Sequence, residues 1–213
     1  VNPEHDPAQD PGPDAPDRAE FDVEPVLDPV LQMDLDADPA LAAAVLEIES
    51  HIAAGGWDQP ARLYALVHTA QLVEREPALA AAMGLDAASA EGSLTPIEQD
   101  QLAPDAVLER VLESIVWPAD VAGCAAVVER LVLPPDADAD IPDDPAGAEE
   151  FAREHPDRQE VRIVAGVTRT GSTYCALRLR AHDDDQSVVG GTELVPGLLA
   201  LLGATLEEET AHE

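Results

Sequence analysis

The sequence predicts an α+β fold in which helices come first, then a small antiparallel sheet, then a closing C-terminal helix. Three observations carry that expectation. Apolar residues recur at helical spacing in the first half, as in Leu41, Ala44, Val45, Ile48 and Ile52. Two apolar runs, Val161–Arg169 and Ser172–His182, flank Thr170-Gly171, a tight-hairpin signal. Near the C-terminus, Leu198, Leu199, Leu201, Leu202 and Leu206 form a broad apolar face behind Thr192 and Pro196.

In chain order, residues 1–38 come first and hold twelve carboxylates, one arginine and seven prolines. Such a segment buries too little apolar surface to offset its ordering entropy, so an acidic, proline-rich, disordered arm is expected. Within it, Val26, Leu27, Val30, Leu31 and Met33 form a short apolar patch. Asp38-Pro39 opens the first helix with a capping side chain and a proline at the first helical position. Gly55-Gly56 stops it. Asp58-Gln59-Pro60 reads as a second helix start, with Leu63, Leu66, Val67, Ala70 and Val73 on one face. Glu76-Pro77 ends or kinks that helix, and a short piece through Ala78–Met83 closes on Gly84. Together these predict an antiparallel N-terminal helical hairpin with an extension.

Residues 86–95 are small and polar and read as a loop. Thr95-Pro96-Ile97-Glu98 has the form of a capping box at a further helix start. Asp105 to Val116 predicts an amphipathic helix on Leu108, Val111, Leu112 and Ile115, ended by Trp117-Pro118. Gly123–Leu133 is a valine-rich apolar run and reads as a buried strand. Residues 134–160 form an acidic insertion with ten carboxylates, with a short helix near Ala146–Glu154. In the hairpin, Val161, Ile163, Ala165 and Val167 should face inward, beside Cys175, Leu177, Leu179 and Ala181. A brief strand at Val188-Val189 and a last helix over Glu193–Glu208 come next, then a disordered tail at 209–213. Residues 39–208 are thus expected to be one domain.

Composition bounds the function. The 213 residues include 44 acids, 11 arginines and no lysine, for a formal net charge of -33. A surface this negative repels nucleic-acid phosphates and anionic lipid, so neither is an expected partner. Cys124 and Cys175 are too few for a disulfide framework or a metal site and read as small buried hydrophobes. No apolar run reaches the ~18 residues that span a membrane, and the N-terminus is unlike a signal peptide. A cytoplasmic protein is expected.

No cofactor is expected. No glycine-rich stretch matches a phosphate loop or a dinucleotide fingerprint. His51 and His68 lack the HExxH or ExxH context of metal helices. The aspartate runs at 136–144 and 183–185 do not fit a calcium loop and read as solvated acids. Ser172 lies in a turn with no assignable histidine or acid partner, so no catalytic residue is assigned. Trp57 and Trp117 stand beside glycine or proline breaks and are expected to plug seams between layers, with a partner-binding anchor as the alternative.

One segment inverts the sign of the chain. Val161 to His182 has no carboxylate and carries Arg162, Arg169, Arg178 and Arg180. Arg178 and Arg180 alternate with Leu177 and Leu179, so they should share the outer sheet face with Arg162. Such a fork of guanidiniums can hold carboxylates or phosphates. These four arginines are the candidate docking site for an anion or a partner protein. The competing expectation is internal: pairing with acids such as Glu129 and Glu160.

Several short segments carry a resemblance. They are Gly56-Trp57-Asp58-Gln59-Pro60 with Leu63-Tyr64-Ala65-Leu66-Val67, Trp117-Pro118 with Gly123-Cys124, and Glu129-Arg130 with Leu133-Pro134. Gly166-Val167 and Leu194-Val195-Pro196-Gly197-Leu198 add to them. Over roughly 39–208 the chain resembles an uncharacterised family of small acidic proteins from actinobacteria. The resemblance implies one compact domain in a bacterial cytoplasm and no particular activity. The functional expectation is a non-catalytic interaction protein, an acidic adaptor, chaperone-like or regulatory module. The alternative is a small-anion-binding domain or enzyme built on the arginines.

Overall fold

The computed structural model describes residues 37–207, apart from 87, 89, 104–105, 135–136, 138–139 and 143. The expected arm, up to residue 36, and the expected tail at 209–213 lie outside the described residues. The first helix, α1, spans Pro39–Ala53. It starts as its sequence predicts: Asp38 Oδ1 accepts from the backbone N–H groups of Ala40 and Leu41, at 2.9 and 3.3 Å. After it, Gly56 takes a positive φ of 79°, and the chain turns back toward the sheet.

The next element is a strand, β1, over Arg62–His68. The expected second limb of a helical hairpin is therefore replaced, over its first half, by sheet. Helix begins only at α2, Thr69–Arg75, followed by α3, Pro77–Ala82. The reason is burial: residues 63–66 are all buried, because the strand is covered on both faces. Such a strand reads as a continuous apolar run, which periodicity alone cannot separate from helix. The helix start expected at Thr95-Pro96 is also a strand, β2, Leu94–Glu98. It lies at the sheet edge, where a proline is tolerated.

The remaining strands are β3 Gly123–Val132, β4 Gln159–Thr168, β5 Thr173–Leu179 and β6 Val189–Gly191. They form one six-stranded sheet in the order β2-β1-β3-β4-β5-β6. Every pairing is antiparallel. The β4–β5 hairpin pairs residues expected to face inward, Val161 with Leu179, Ile163 with Leu177 and Ala165 with Cys175. But β5 ends at Leu179, and Ala181, expected on the same strand, lies in a 3-10 turn. The α+β class holds. Helix α4 is shorter than expected, Leu108–Leu112, while α5 at Pro145–Glu154 matches the helix expected in the insertion. The last helix, α6, begins at Pro196, later than Glu193, and ends at Leu206.

Both sheet faces are covered. On one, α1 buries Leu41, Val45 and Ile48 against Tyr64, Leu66, Val127, Val164 and Ala176. On the other, α4 and α6 bury Leu108, Leu112, Leu199 and Leu202 against Cys124, Ala126, Ile163 and Ala165. Trp117 plugs that second layer at 8% exposure. Helix α1 approaches β4 over Gly166, where an added Cβ would lie 2.7 Å from Val45 Cγ2. Among the described residues, no helix is long and apolar enough to cross a membrane.

Candidate functional site

The alternation of strand side chains places Arg162 and Arg178 on the α1 face, while Arg180, expected on the same strand as Arg178, opens a 3-10 turn just past the end of β5. That face is not open. Helix α1 and the loop after it lie across it, and Arg162 and Arg178 are 0% and 2% exposed. A charged row crosses five strands at the end where α1 finishes. It runs Glu98 on β2, Arg62 on β1, Glu129 on β3, Arg162 on β4 and Arg178 on β5. The register sets Glu129 opposite Arg162, a favourable cross-strand pair. It also sets Arg162 opposite Arg178, which alone would repel.

The acids of the same chain resolve that repulsion. Arg162 donates from Nη2 and Nε to Glu129 Oε1, at 2.8 and 3.2 Å, and from Nη2 to the Gly56 carbonyl. Arg178 forks onto Glu49 of α1, with Nε and Nη2 at 2.6 and 2.8 Å from the two oxygens. Glu49 and Arg178 are each 3% exposed at their side chains. Arg178 also reaches Asp185 at 2.7 Å and Asp183 at 3.5 Å. Arg180 grips Asp58 with two bonds of 2.9 Å and Glu160 with one of 2.5 Å. The internal pairs expected with Glu129 and Glu160 are thus present. Hydrogen bonds, from Glu49 above all, raise the Arg178 pKa further above its ordinary value, and the Arg180 bond lowers that of Asp58.

Trp57 sits on top of this row. It is half-buried, and the Arg162 and Arg180 guanidinium carbons lie 4.4 and 5.6 Å from its ring centroid. That geometry is cation–π. Its Nε1–H donates to Asp183 at 2.9 Å. Asp58, at a positive φ of 65°, donates its backbone N–H to Glu129 at 2.8 Å. Trp57 therefore does more than fill a seam: it closes a cluster of three guanidiniums and six carboxylates. The outer acids are the exposed ones. Asp58 and Asp185 are 76% and 85% exposed at their side chains. An external anion would have to displace one of these carboxylates from its guanidinium.

Arg169 stands apart. Nε and Nη2 donate to the carbonyls of Val121, Trp117 and Pro118 at 2.8–2.9 Å, and Nη1 donates to Leu206. It staples the 117–121 loop to the C-terminal end of α6, where a cation complements the helix dipole. His51 and His68 fall at opposite ends of α1 and line different cavities. Among the described residues, no group of three histidine, cysteine, aspartate or glutamate side chains is placed to hold a metal ion. Cys124 and Cys175 are buried, and burial pushes the Cys124 thiol up to about 11. The aspartates at 183–185 are engaged: two hold Arg178, and Asp184 accepts from Ser187 and Gln186. Sequence reasoning misses Glu49. Its one signal there is an acid on the apolar stripe of α1, between Val45 and Ile52.

No curated protein and no solved structure matches the chain. A family model does match, over residues 41–207, a span that holds all but the first two residues of α1, the Trp57 loop, the whole charged row and α6. The chain belongs to the PPA1309-like protein family.

Proposed function

We propose that this protein is a non-catalytic interaction protein, an acidic adaptor or regulatory module that docks a partner over Trp57. The observation that supports this most is the pairing of a half-buried tryptophan with exposed carboxylates held in place from beneath. Aromatic anchors dominate binding energy at interfaces, and rigid ones lose little entropy on docking. Here Arg162, Asp183 and Arg180 hold the ring and its neighbours. The arginines are then positioning residues: Arg178 and Arg180 fix Asp185 and Asp58 at the surface. The complementary partner is a protein segment rich in basic side chains, drawn in by the field of a chain with net charge -33.

Affinity capture from bacterial lysate tests this, with wild type beside an Asp58→Asn/Asp185→Asn variant. Asparagine keeps the shapes and tolerates the positive φ at Asp58. Both acids are exposed, so the variant should fold. A captured protein that the variant loses, at unchanged melting temperature, supports docking at Trp57. The same protein held equally by both removes that surface from the proposal.

One observation favours the second reading, a small-anion site. Arg162 Nη1 is buried and has no hydrogen-bond partner in the protein. It is a spare charged donor beneath the Trp57 ring. Inorganic phosphate or sulfate that raised the melting temperature of wild type at constant ionic strength would support that reading.

A further inference from the structure

A cavity of about 480 Å³ opens between the last two turns of α1 and the edge strand β2. Glu47, Ile48, Ser50 and His51 line it from the helix, Pro96 and Glu98 from the strand, and Tyr64 of β1 between them. This volume lies within the range of small-ligand pockets.

Two features give the cavity a chemical preference. The first is charge. Glu47 and Glu98 flank it, and the C-terminal turn of α1 adds the negative end of a helix dipole. The nearest guanidinium, Arg62, is engaged with Glu98 at 2.6 Å and Gln59 at 3.0 Å. The second is an unspent hydroxyl. Tyr64 is 4% exposed, and its Oη lies close to Glu98 and Arg62 without completing a hydrogen bond of proper geometry to either. A buried polar group left in that state is costly to the fold. Burial, then the Glu98 charge, push the phenol up to about 12, so it is a neutral O–H at physiological pH. Arg62 acts in the opposite direction and does not overcome them.

We propose that this cavity binds an alkylammonium group, its charge set between Glu47 and Glu98 and its alkyl stem packed on Ile48, Pro96 and the Tyr64 ring. The ammonium donates to both carboxylates and to Tyr64 Oη, which supplies the partner the hydroxyl lacks. Lining side chains close that hydroxyl off from solvent, so binding includes a rotation of exposed Glu98 or His51. An anion is excluded by the same two carboxylates. The lining includes Glu98 of the charged row and none of the residues proposed to dock a partner at Trp57.

The ammonium has two sources, a free small amine or a lysine side chain of a partner protein. This chain has no lysine of its own to compete. Methyl NMR on isoleucine-labelled protein separates the cases in 150 mM salt. Ile48 lines the cavity, while Ile163 packs on the opposite sheet face and serves as the reference. The probes are n-butylammonium, an acetylated and amidated Gly-Lys-Gly peptide, and butyrate. Either amine probe should shift Ile48 saturably, with Ile163 and the butyrate titration unmoved. Glu98→Gln should weaken binding at least tenfold and Tyr64→Phe about threefold, with Ile163 reporting an intact core in both. Tighter binding of the peptide assigns the site to a partner's lysine; tighter binding of butylammonium assigns it to a free amine. No Ile48 shift, an equal shift at Ile163, or affinity unchanged by Glu98→Gln overturns the proposal.

Discussion

Arg178 shows how a single side chain can be read correctly for type and not for role. Its alternation with Leu177 and Leu179 places it on the face away from the α6 layer, and that is where it lies. What sequence could not supply was the helix above it. Glu49 comes from 129 residues earlier, and only the packing of α1 on β4 and β5 brings the two together. Both side chains are 3% exposed, so the charges were taken out of water and depend on each other. Removing one partner of such a pair costs about 3–5 kcal/mol, because the other charge stays buried alone. Arg178→Met should therefore lower stability by about that amount in urea titration. Replacing both, as Glu49→Leu with Arg178→Met, should recover most of the loss, since an apolar pair of similar volume needs no desolvation. If the double variant is as unstable as the single one, the outer bonds to Asp183 and Asp185 matter more than Glu49. Sequence also misplaced Arg169 in this group. Its acceptors are all main-chain carbonyls, which no residue pattern reveals.

At the scale of elements, legibility tracked local turn and cap signals rather than exposure, since β3 and β4 are as deeply buried as β1 and still read as strands. The β4–β5 hairpin was readable because Thr170-Gly171 marks where the chain turns and because arginines mark its second face, although the turn spans 169–171, one residue more than that pair. Helix α1 was readable from its Asp38 cap and its stripe of apolar residues. Strand β1 was not, since it is buried between two layers and its Leu63, Leu66 and Val67 also fit a helical period. Asp58-Gln59-Pro60 strengthened the wrong reading: the aspartate resembles a helix cap, yet its carboxylate is held by Arg180. The same three-layer packing explains Gly166. Its missing side chain lets α1 approach, with Val45 Cγ2 and Leu41 Cδ1 at 2.7 and 3.1 Å from where a Cβ would stand. Gly166→Val should force α1 outward and cost about 1–3 kcal/mol as overpacking. The displacement should also loosen the Glu49–Arg178 contact and the Trp57 loop that α1 leads into. Tryptophan fluorescence reads that loosening, with Trp57→Phe as the control that isolates Trp117. A Gly166→Val variant with wild-type stability and fluorescence would falsify the close approach of α1.

For the whole molecule, charge sets up a contest whose sign can be decided. The net charge of -33 means that the compact chain repels itself, and self-repulsion opposes folding. The ion pairs act the other way, but they are of two kinds. Exposed pairs such as Arg110–Glu113 and Arg75–Asp120 contribute about 0–1 kcal/mol each and weaken with salt. The Glu49–Arg178 and Arg162–Glu129 pairs are buried or nearly so, and salt screens them little. Raising NaCl from 0.01 to 0.1 M shortens the screening length from about 30 to about 10 Å, enough to cut repulsion between distant acids while leaving contacts below 3 Å nearly intact. The melting temperature should therefore rise over that range. Urea is the appropriate denaturant for the parallel stability measurement, because guanidinium is itself a screening salt. A fall in melting temperature would mean that exposed pairs hold the fold against its own charge. A rise, joined to weaker capture of a basic partner as salt increases, separates the two uses of the same charge: it opposes the folded state and steers what the folded state meets.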